Sequence, residues 1–250
     1  MDLKLGNNQF SGCVPDIFGK FANIKWLDLS NNNLSGTLDE TPSLFTRMNL
    51  TTLLLDHNLF TGSIPESIRN LTSLFSLSLA HNQFTGPIPA TLSSITFIKH
   101  IVLNNNLLCG PIPASLIHLT SLTTLRLQGN KLTGPLPPEF GGMMRLRLLD
   151  ISHNPGIIGS LSTKFGRDPK KKDEVDTRAL KELLLNGTGM DVAKNGNMLL
   201  DKYVAHKVQH NHMQVKRVCK TKEGGRCVEC EEARVKNEER GNGENLVDLE

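Results

Sequence analysis

The sequence predicts an α/β-type solenoid of seven stacked coils, followed by a charged C-terminal tail. The first observation is a column of seven asparagines spaced 24, 26, 24, 24, 24 and 24 residues apart. They are Asn8, Asn32, Asn58, Asn82, Asn106, Asn130 and Asn154. The second observation is that two aliphatic residues precede each asparagine at fixed offsets. The third is a change in charge density near residue 162, because 19 of the first 162 residues are charged but 34 of the last 88. A repeat of this length is typical of solenoids.

The aliphatic pairs predict one short strand in every coil. Alternate residues of a strand point to opposite faces, so Leu27 and Leu29 enter one core while the residue between them faces away. One coil alone has no second layer to bury such a row. Stacked coils bury it together, and their strands are expected to pair as a parallel sheet along the solenoid.

The asparagine, glycine and proline positions predict how each coil turns. An asparagine side chain has two N–H donors and one acceptor for backbone groups where the strand bends. The glycine that follows permits a tight bend, and the proline fixes φ while donating no hydrogen bond. We therefore interpret the asparagine column as structural rather than chemical.

The seven coils resemble a known repeat. They read LKLGNNQFSGCVP, LDLSNNNLSGTLD, LLLDHNLFTGSIP, LSLAHNQFTGPIP, IVLNNNLLCGPIP, LRLQGNKLTGPLP and LDISHNPGIIGSL. The pattern LxxLxLxxNxLTGxIPxxL resembles the plant-specific leucine-rich repeat of receptor-like kinases, receptor-like proteins and polygalacturonase-inhibiting proteins. The resemblance implies a curved, right-handed coil whose concave parallel sheet is a variable binding face. It also implies a non-catalytic module for a protein or peptide ligand in signalling or defence, with a co-receptor as a further partner.

The N-terminus departs from the pattern of the resembled family. The chain begins one residue before the first core strand, so we expect the solenoid over residues 1–162 to lack an N-terminal cap and to expose Leu3, Leu5 and Phe10. The sequence has no secretory signal peptide and no membrane-spanning segment, which as written indicates a cytoplasmic protein. The resemblance implies the cell surface or the extracellular space instead, so the compartment stays open.

The residues between and just after the core aliphatics form the predicted ligand-binding face. Most of them are polar or small, which indicates that one face of the sheet is exposed to water and available to a partner. The candidates are Trp26, Asp28, Leu54, Asp56, His57, Ser78, His81, His100, Val102, Asn104, Arg126, Gln128 and Asp150. With strands about 4.8 Å apart, the face is roughly 30 Å long, enough for a short peptide or one protein edge.

Two features of the predicted face have two interpretations each. Trp26, the only tryptophan, lies near Asp28 and Asp56 and is either a binding hot spot or a packing residue at an irregular coil. His57 and His81 occupy the same position of adjacent coils, where both would gain charge near about pH 6. They are either a pH-sensitive pair or common occupants of this position in the resembled family.

The segment 163–250 is predicted to be a charged tail that is partly helical or disordered. Residues 176–185 and 198–218 have helical patterns that would cap the last coil, and the sequence after Glu231 is polar enough for disorder. Cysteine and histidine bind zinc, but the tail has only one CxxC spacing. The weak zinc candidates are His210, His212, Cys219, Cys227 and Cys230. We therefore predict no metal and no other cofactor.

Sequence motifs for catalysis are missing. The chain contains no GxSxG, HExxH or Walker A motif. Its formal net charge of +3 is too small to indicate a nucleic-acid partner. We predict a non-enzymatic recognition module. The alternative is an intracellular scaffold that binds a cytosolic protein through the same face, and a tail-centred zinc-binding protein is a remote alternative.

Overall fold

The computed structural model describes residues 1–17, 21, 23–45, 49–160, 180 and 182–190. Its strands are β1 (Asp2–Lys4), β2 (Ser11–Cys13), β3 (Trp26–Asp28), β4 (Asn33–Thr37), β5 (Thr52–Leu54), β6 (Leu59–Thr61), β7 (Ser76–Ser78), β8 (His100–Val102), β9 (Cys109–Pro111), β10 (Thr124–Arg126), β11 (Lys131–Pro135), β12 (Leu148–Asp150), β13 (Gly156–Gly159), β14 (Glu182–Leu184) and β15 (Gly189–Met190). The 3-10 helices are Leu38–Glu40, Pro42–Phe45, Glu66–Asn70, Ala90–Ser94, Ala114–His118 and Pro138–Gly142.

Eight of the described strands form one parallel sheet, which we call the main sheet. Its order is β1, β3, β5, β7, β8, β10, β12 and β14, and we number the coils 1 to 8 by these strands. Neighbouring strands pair in register one coil apart, so Leu27 lies between Leu3 and Leu53, and the same column continues to Leu183. The predicted solenoid with a parallel sheet is confirmed.

The hydrophobic core joins the main sheet to the 3-10 helices. From coil 3 to coil 6, each helix contributes one buried side chain to the same core as the central strand residues. These side chains are Ile68, Leu92, Leu116 and Phe140. A proline precedes each of the four helices, and its restricted φ favours the extended backbone that enters the helix. The apolar and proline positions of the repeat thus place the sheet and the helices on two sides of one core.

A second set of strands runs along the side of the solenoid. The strands β2, β4 and β6 form one parallel sheet, and β9, β11, β13 and β15 form another. Each glycine of the repeat lies in or beside these strands with φ between 73° and 91°, as Gly86 and Gly159 do at the two limits. Only glycine adopts this region without steric strain, which explains why the position is occupied by glycine in coil after coil.

The asparagine column bonds adjacent coils to each other. In coil 4, Asn82 Nδ2 donates to the carbonyl oxygens of Leu55 (2.9 Å), Leu79 (3.2 Å) and Ala80 (3.1 Å), and its Oδ1 accepts from the Phe60 amide (3.0 Å). Leu55 and Phe60 belong to the preceding coil. The equivalent bonds are made by Asn32, Asn58, Asn106, Asn130 and Asn154. Each of these amides satisfies backbone groups that the bend leaves inside the core.

The C-terminal boundary predicted at residue 162 is corrected by the structure, because an eighth coil follows it. Strand β14 pairs with β12, and Leu183 is 2% exposed. The helix predicted over 176–185 is therefore wrong at Glu182–Leu184, where the chain is a strand. Periodicity does not distinguish a helix from a strand in a short apolar run. As a strand, this run pairs with β12 and buries Leu183 against the apolar edge of coil 7. Residues 176–179 and 181 lie outside the described residues.

The residues named in the predictions for the first coil are described in the structure, whereas most of those named for the C-terminal tail are not. In coil 1, Phe10 is exposed as expected, whereas Leu3 and Leu5 are half-buried against the core. The helix predicted over 198–218, the polar segment after Glu231 and the five zinc candidates lie outside the described residues. None of the described helices is long and apolar enough to cross a membrane.

Candidate ligand-binding surface

The strand residues that flank each buried central leucine lie on one face of the main sheet, which we call the open face. The first column of the open face is Asp2, Trp26, Thr52, Ser76, His100, Thr124, Leu148 and Glu182. The second column is Lys4, Asp28, Leu54, Ser78, Val102, Arg126, Asp150 and Leu184. A third column, two residues further along each coil, contains Asp56, Ala80, Asn104 and Gln128. Apart from His57 and His81, which follow the third column, the predicted ligand-binding residues occupy these columns.

Two of the candidate residues, Asp150 and Asn104, are buried rather than presented to solvent. Asp150 is 7% exposed, and its Oδ1 accepts hydrogen bonds from the Ser152 amide (3.1 Å) and hydroxyl (2.6 Å). Asp28 and Ser30 make the same pair of bonds in coil 2, although Asp28 is half-buried. The Asp-x-Ser sequence therefore stabilises the bend after the strand. The Asp150 carboxylate is already hydrogen-bonded to Ser152 within its own coil.

The residue after the third column has a left-handed backbone in successive coils. Asn31, His57, His81, Asn105 and His153 have φ between 52° and 54°. Asparagine and histidine are enriched in this region among non-glycine residues. The left-handed backbone conformation by itself therefore accounts for histidine at these positions.

Two of these histidines stack directly on each other. The ring centroids of His57 and His81 are 4.0 Å apart, and the planes differ by 11°. The His81 ring also lies 3.1 Å from Asn105 Nδ2 and 3.3 Å from Asn104 Nδ2, measured to His81 Nε2. Burial lowers the pKa of His81, and the neighbouring His57 lowers it further, whereas Asp56 acts in the opposite direction. The neutral form of His81 is favoured in this arrangement.

Trp26 lies on the open face of coil 2 beside a lysine of coil 1. The Lys4 ammonium nitrogen is 5.1 Å from the centre of the indole ring, within the range of a cation–π contact. The indole Nε1 is buried, and no acceptor for it is present in the described part of the chain. The ring is half-buried, so it packs on its own coil and still presents part of its surface to a partner.

A group of residues around Phe75 extends the open face at the edge where the strands begin. Phe75 immediately precedes β7 and is 40% exposed. The Lys99 ammonium nitrogen lies 4.4 Å from the Phe75 ring centre, and the His100 ring meets the Phe75 ring edge to face at 6.0 Å. Burial lowers the pKa of His100, and Lys99 lowers it further. His100 is one of the predicted binding residues, whereas Phe75 and Lys99 are not, because strict alternation puts them on the core side with Leu77 and Ile101.

The third column contains two amide oxygens without a partner. Asn104 Oδ1 and Gln128 Oε1 are buried, and neither accepts a hydrogen bond from any described residue. Asn104 itself is 5% exposed. Buried acceptors are usually paired in folded proteins, so this pair of neighbouring coils lacks hydrogen-bond donors.

Across the described ranges, no group of three or more His, Cys, Asp or Glu side chains is placed to hold a metal ion. Only the tail candidates for zinc, which fall outside those ranges, remain untested.

Comparison with known families identifies the repeat. A model described as Leucine Rich Repeat matches residues 23–46, 49–71, 73–95 and 121–143, which contain the main-sheet strands of coils 2, 3, 4 and 6. The described coils form a leucine-rich repeat solenoid. Their many-stranded parallel sheet is the one implied by the sequence resemblance.

The solenoid resembles the ectodomains of plant receptors. Receptor-like protein 54 of Arabidopsis thaliana is 41% identical over 66 residues, which are 26% of this chain and 8% of that protein. A crystal structure of a TDR receptor matches with a TM-score of 0.62 and 38% identity, over 66% of this chain and 28% of that one. The Arabidopsis receptor kinase HAESA, in complex with the peptide hormone IDA and the co-receptor SERK1, matches with a TM-score of 0.63 and 28% identity, over 77% and 34%.

The same fold is also found outside receptors. A plant ice-binding protein matches the leucine-rich repeat solenoid with a TM-score of 0.60 and 30% identity, over 75% of this chain and 56% of that one. This chain spans less than two thirds of the length of each of the four relatives named above. The fold alone does not select a ligand.

Proposed function

We propose that this solenoid is a non-catalytic recognition module that binds a protein or peptide ligand on its open face, as part of plant-type receptor signalling or defence. The observation that carries the proposal is the open face itself. Polar, aromatic and charged side chains project from adjacent strands at a regular spacing, and most are half-buried or exposed. A rigid parallel sheet holds them, so a ligand loses little free energy to reorganising the protein.

The relatives support a polypeptide ligand. The matched HAESA structure is described as a complex with a peptide hormone and a co-receptor, and the receptor RGFR1 is described as a complex with RGF2. The plant ice-binding protein has the same fold, but aromatic and charged residues such as Trp26, Phe75 and Arg126 favour a polypeptide surface over a uniform lattice. A co-receptor is a further partner under this proposal.

The intracellular scaffold remains the alternative because it uses the same open face. It differs from the receptor proposal in the source of the ligand and in having no glycan. The sequon at Asn70 offers a readout, since Asn70 is exposed at the end of the 3-10 helix Glu66–Asn70. A glycan at Asn70 in protein isolated from its natural tissue supports the receptor proposal, and unmodified Asn70 supports the scaffold.

The test of recognition is selection of ligands without prior assumptions about their sequence. The full chain is immobilised and used to select peptides from a random display library, and hydrogen exchange maps where the selected peptides bind. We expect protection of the main-sheet strands and at least about a tenfold loss of affinity for the double variant Trp26→Ala, Arg126→Ala. The control is Arg69→Ala, an exposed basic residue of the helix Glu66–Asn70. Binding that is mapped to the helix side, or is unaffected by the double variant, would contradict the proposal.

A further inference from the structure

The charges of the solenoid are segregated along its axis. Residues 1–66 contain seven carboxylates against four lysines and arginines. Residues 67–150, which contain the strands of coils 4–7, have two carboxylates, Glu139 and Asp150, against six basic residues. The basic residues are Arg69, Lys99, Arg126, Lys131, Arg145 and Arg147. The two halves of the solenoid therefore present fields of opposite sign to a long ligand.

Three of the basic residues lie on the open face or at its edge. Arg126 is exposed in the second column, on β10. Lys99 and Arg147 immediately precede β8 and β12, and backbone hydrogen bonds through Thr123 place them in one row. Two strand spacings separate Lys99 from Arg147, which is about 10 Å. Of the two carboxylates of this half, Glu139 lies in the 3-10 helix Pro138–Gly142, on the other side of the core. Asp150, next to Arg126 in the second column, is buried and accepts hydrogen bonds from Ser152.

The same part of the open face also has an exposed apolar side chain and two amide oxygens that accept no hydrogen bond from any described residue. Phe75 exposes 40% of its surface next to Lys99. The unpaired oxygens of Asn104 and Gln128 follow β8 and β10, on the coils that carry Lys99 and Arg126. A fitting ligand must therefore supply carboxylates, an apolar side chain and N–H donors at once. A polypeptide has all three, because its backbone amides supply the donors.

We propose that the open face of coils 4–7 binds an acidic polypeptide segment that contains an aromatic or aliphatic residue. This inference rests on the proposed function and specifies the ligand class. The ligand's carboxylates pair with Arg126, Lys99 and Arg147, its apolar side chain covers Phe75, and its backbone N–H groups donate to the amide oxygens of Asn104 and Gln128. A neutral segment leaves the basic groups without partners, and a basic segment is repelled.

The experiment compares charge-matched probes on the full chain. Fluorescent peptides that alternate glutamate and phenylalanine are titrated by anisotropy beside peptides in which glutamine replaces glutamate, and heparin serves as a polyanion without apolar groups. We expect the glutamate peptide to bind at least about tenfold more tightly than the glutamine peptide, and the preference to weaken as salt rises from about 20 to about 300 mM. The variant Lys99→Gln, Arg126→Gln should weaken binding of the glutamate peptide about five- to tenfold.

The matched control removes a basic residue of the same half from the opposite side. Arg69→Gln should leave the affinity for the glutamate peptide within about twofold of the unchanged chain, since Arg69 lies on the helix side. Equal binding of glutamate and glutamine peptides, an equal effect of Arg69→Gln, or heparin binding as tight as the glutamate peptide would each overturn the inference. If library peptides bind the open face but are not acidic, this inference fails while the proposed function stands. If no library peptide binds the open face, the proposed function fails as well.

Discussion

The imidazole rings of His57 and His81 stack across adjacent coils, with centroids 4.0 Å apart. Protonation of both rings would place two positive charges face to face, which the arrangement disfavours. Both residues have left-handed backbones, with φ of 54° and 52°, and His81 Nε2 also lies 3.1 Å from Asn105 Nδ2. The stack therefore couples the ionisation of one coil to that of the next.

We expect acidification to destabilise the solenoid through His81. Because the folded-state pKa of His81 is lowered, the unfolded chain binds more protons than the folded chain once the pH falls below the ordinary histidine pKa of about 6.5. This contribution to stability should be fully present above about pH 7 and decrease as the pH falls from about 7 to about 5. His81→Asn, measured by thermal unfolding across this range, should lose less stability on acidification than the unchanged chain.

The control for this pH experiment is His153→Asn, because His153 occupies the equivalent left-handed position of coil 7. Asparagine already fills this position in other coils, so neither substitution changes the backbone requirement. If His153→Asn flattens the pH dependence as much as His81→Asn, stacking on His57 is not the cause.

The asparagine column offers a prediction about stability. Asn82→Ala should lower the free energy of unfolding by about 2 to 4 kcal/mol, because the Phe60 amide and buried carbonyl oxygens lose their partner. Asn8 is exposed and donates only to Leu5 and Gly6 of its own coil among the described residues, so Asn8→Ala should cost less than about 1 kcal/mol. Denaturant unfolding measures both, and equal costs would contradict the role of the coil-to-coil bonds.

The left-handed column predicts a residue preference that does not depend on side-chain contacts. Asn31→Val should destabilise the solenoid by about 1 to 3 kcal/mol, since a β-branched side chain is strained at a φ of 52°. Asn31→Gly should change stability by less than about 1 kcal/mol, because glycine adopts this region readily. The two variants are compared in one denaturant series, and a valine variant as stable as the glycine variant would exclude backbone strain.

The eighth coil predicts that residues beyond 162 stabilise coil 7. Leu183→Ala should cost about 2 to 4 kcal/mol and speed hydrogen exchange in Leu148–Asp150, the strand paired with β14. Leu59→Ala, at a leucine that is 48% exposed, serves as the control and should have little effect. Unchanged exchange in β12 after Leu183→Ala would mean that coil 8 does not stabilise its neighbour.

Repetition made most of the fold predictable. A residue such as Leu77 has the same environment as Leu53, so one periodic pattern predicts strand, core and register for coil after coil. The eighth coil escaped prediction because residues 182–184 follow a long charged segment and have no asparagine, glycine and proline in the expected order. Its ELLL sequence then fits a helix as well as a strand.

The contacts of the surface side chains were only partly predictable from the sequence, for a different reason. Alternation predicts which residues leave the core, but it does not predict what each one meets on the next coil. Asp150 is bound by Ser152 and buried, whereas Arg126, in the same column, is exposed. The pairing of Lys99 with Phe75 likewise depends on neighbours that are 24 residues apart in the chain. Side-chain partners across coils therefore need the three-dimensional structure.

The in-register stacking of the main sheet also defines a length scale for any extended ligand that runs along it. Each coil advances the open face by about 4.8 Å, whereas an extended peptide advances by about 3.3 Å per residue. Two ligand residues that face the same way and differ by six positions span about 20 Å, close to four coils. Trp26 on coil 2 and Arg126 on coil 6 are separated by four coils. Because these two spacings differ, ligand residues lie directly opposite open-face side chains at only a few positions. The preference for particular residues in the ligand sequence should be strongest at those positions.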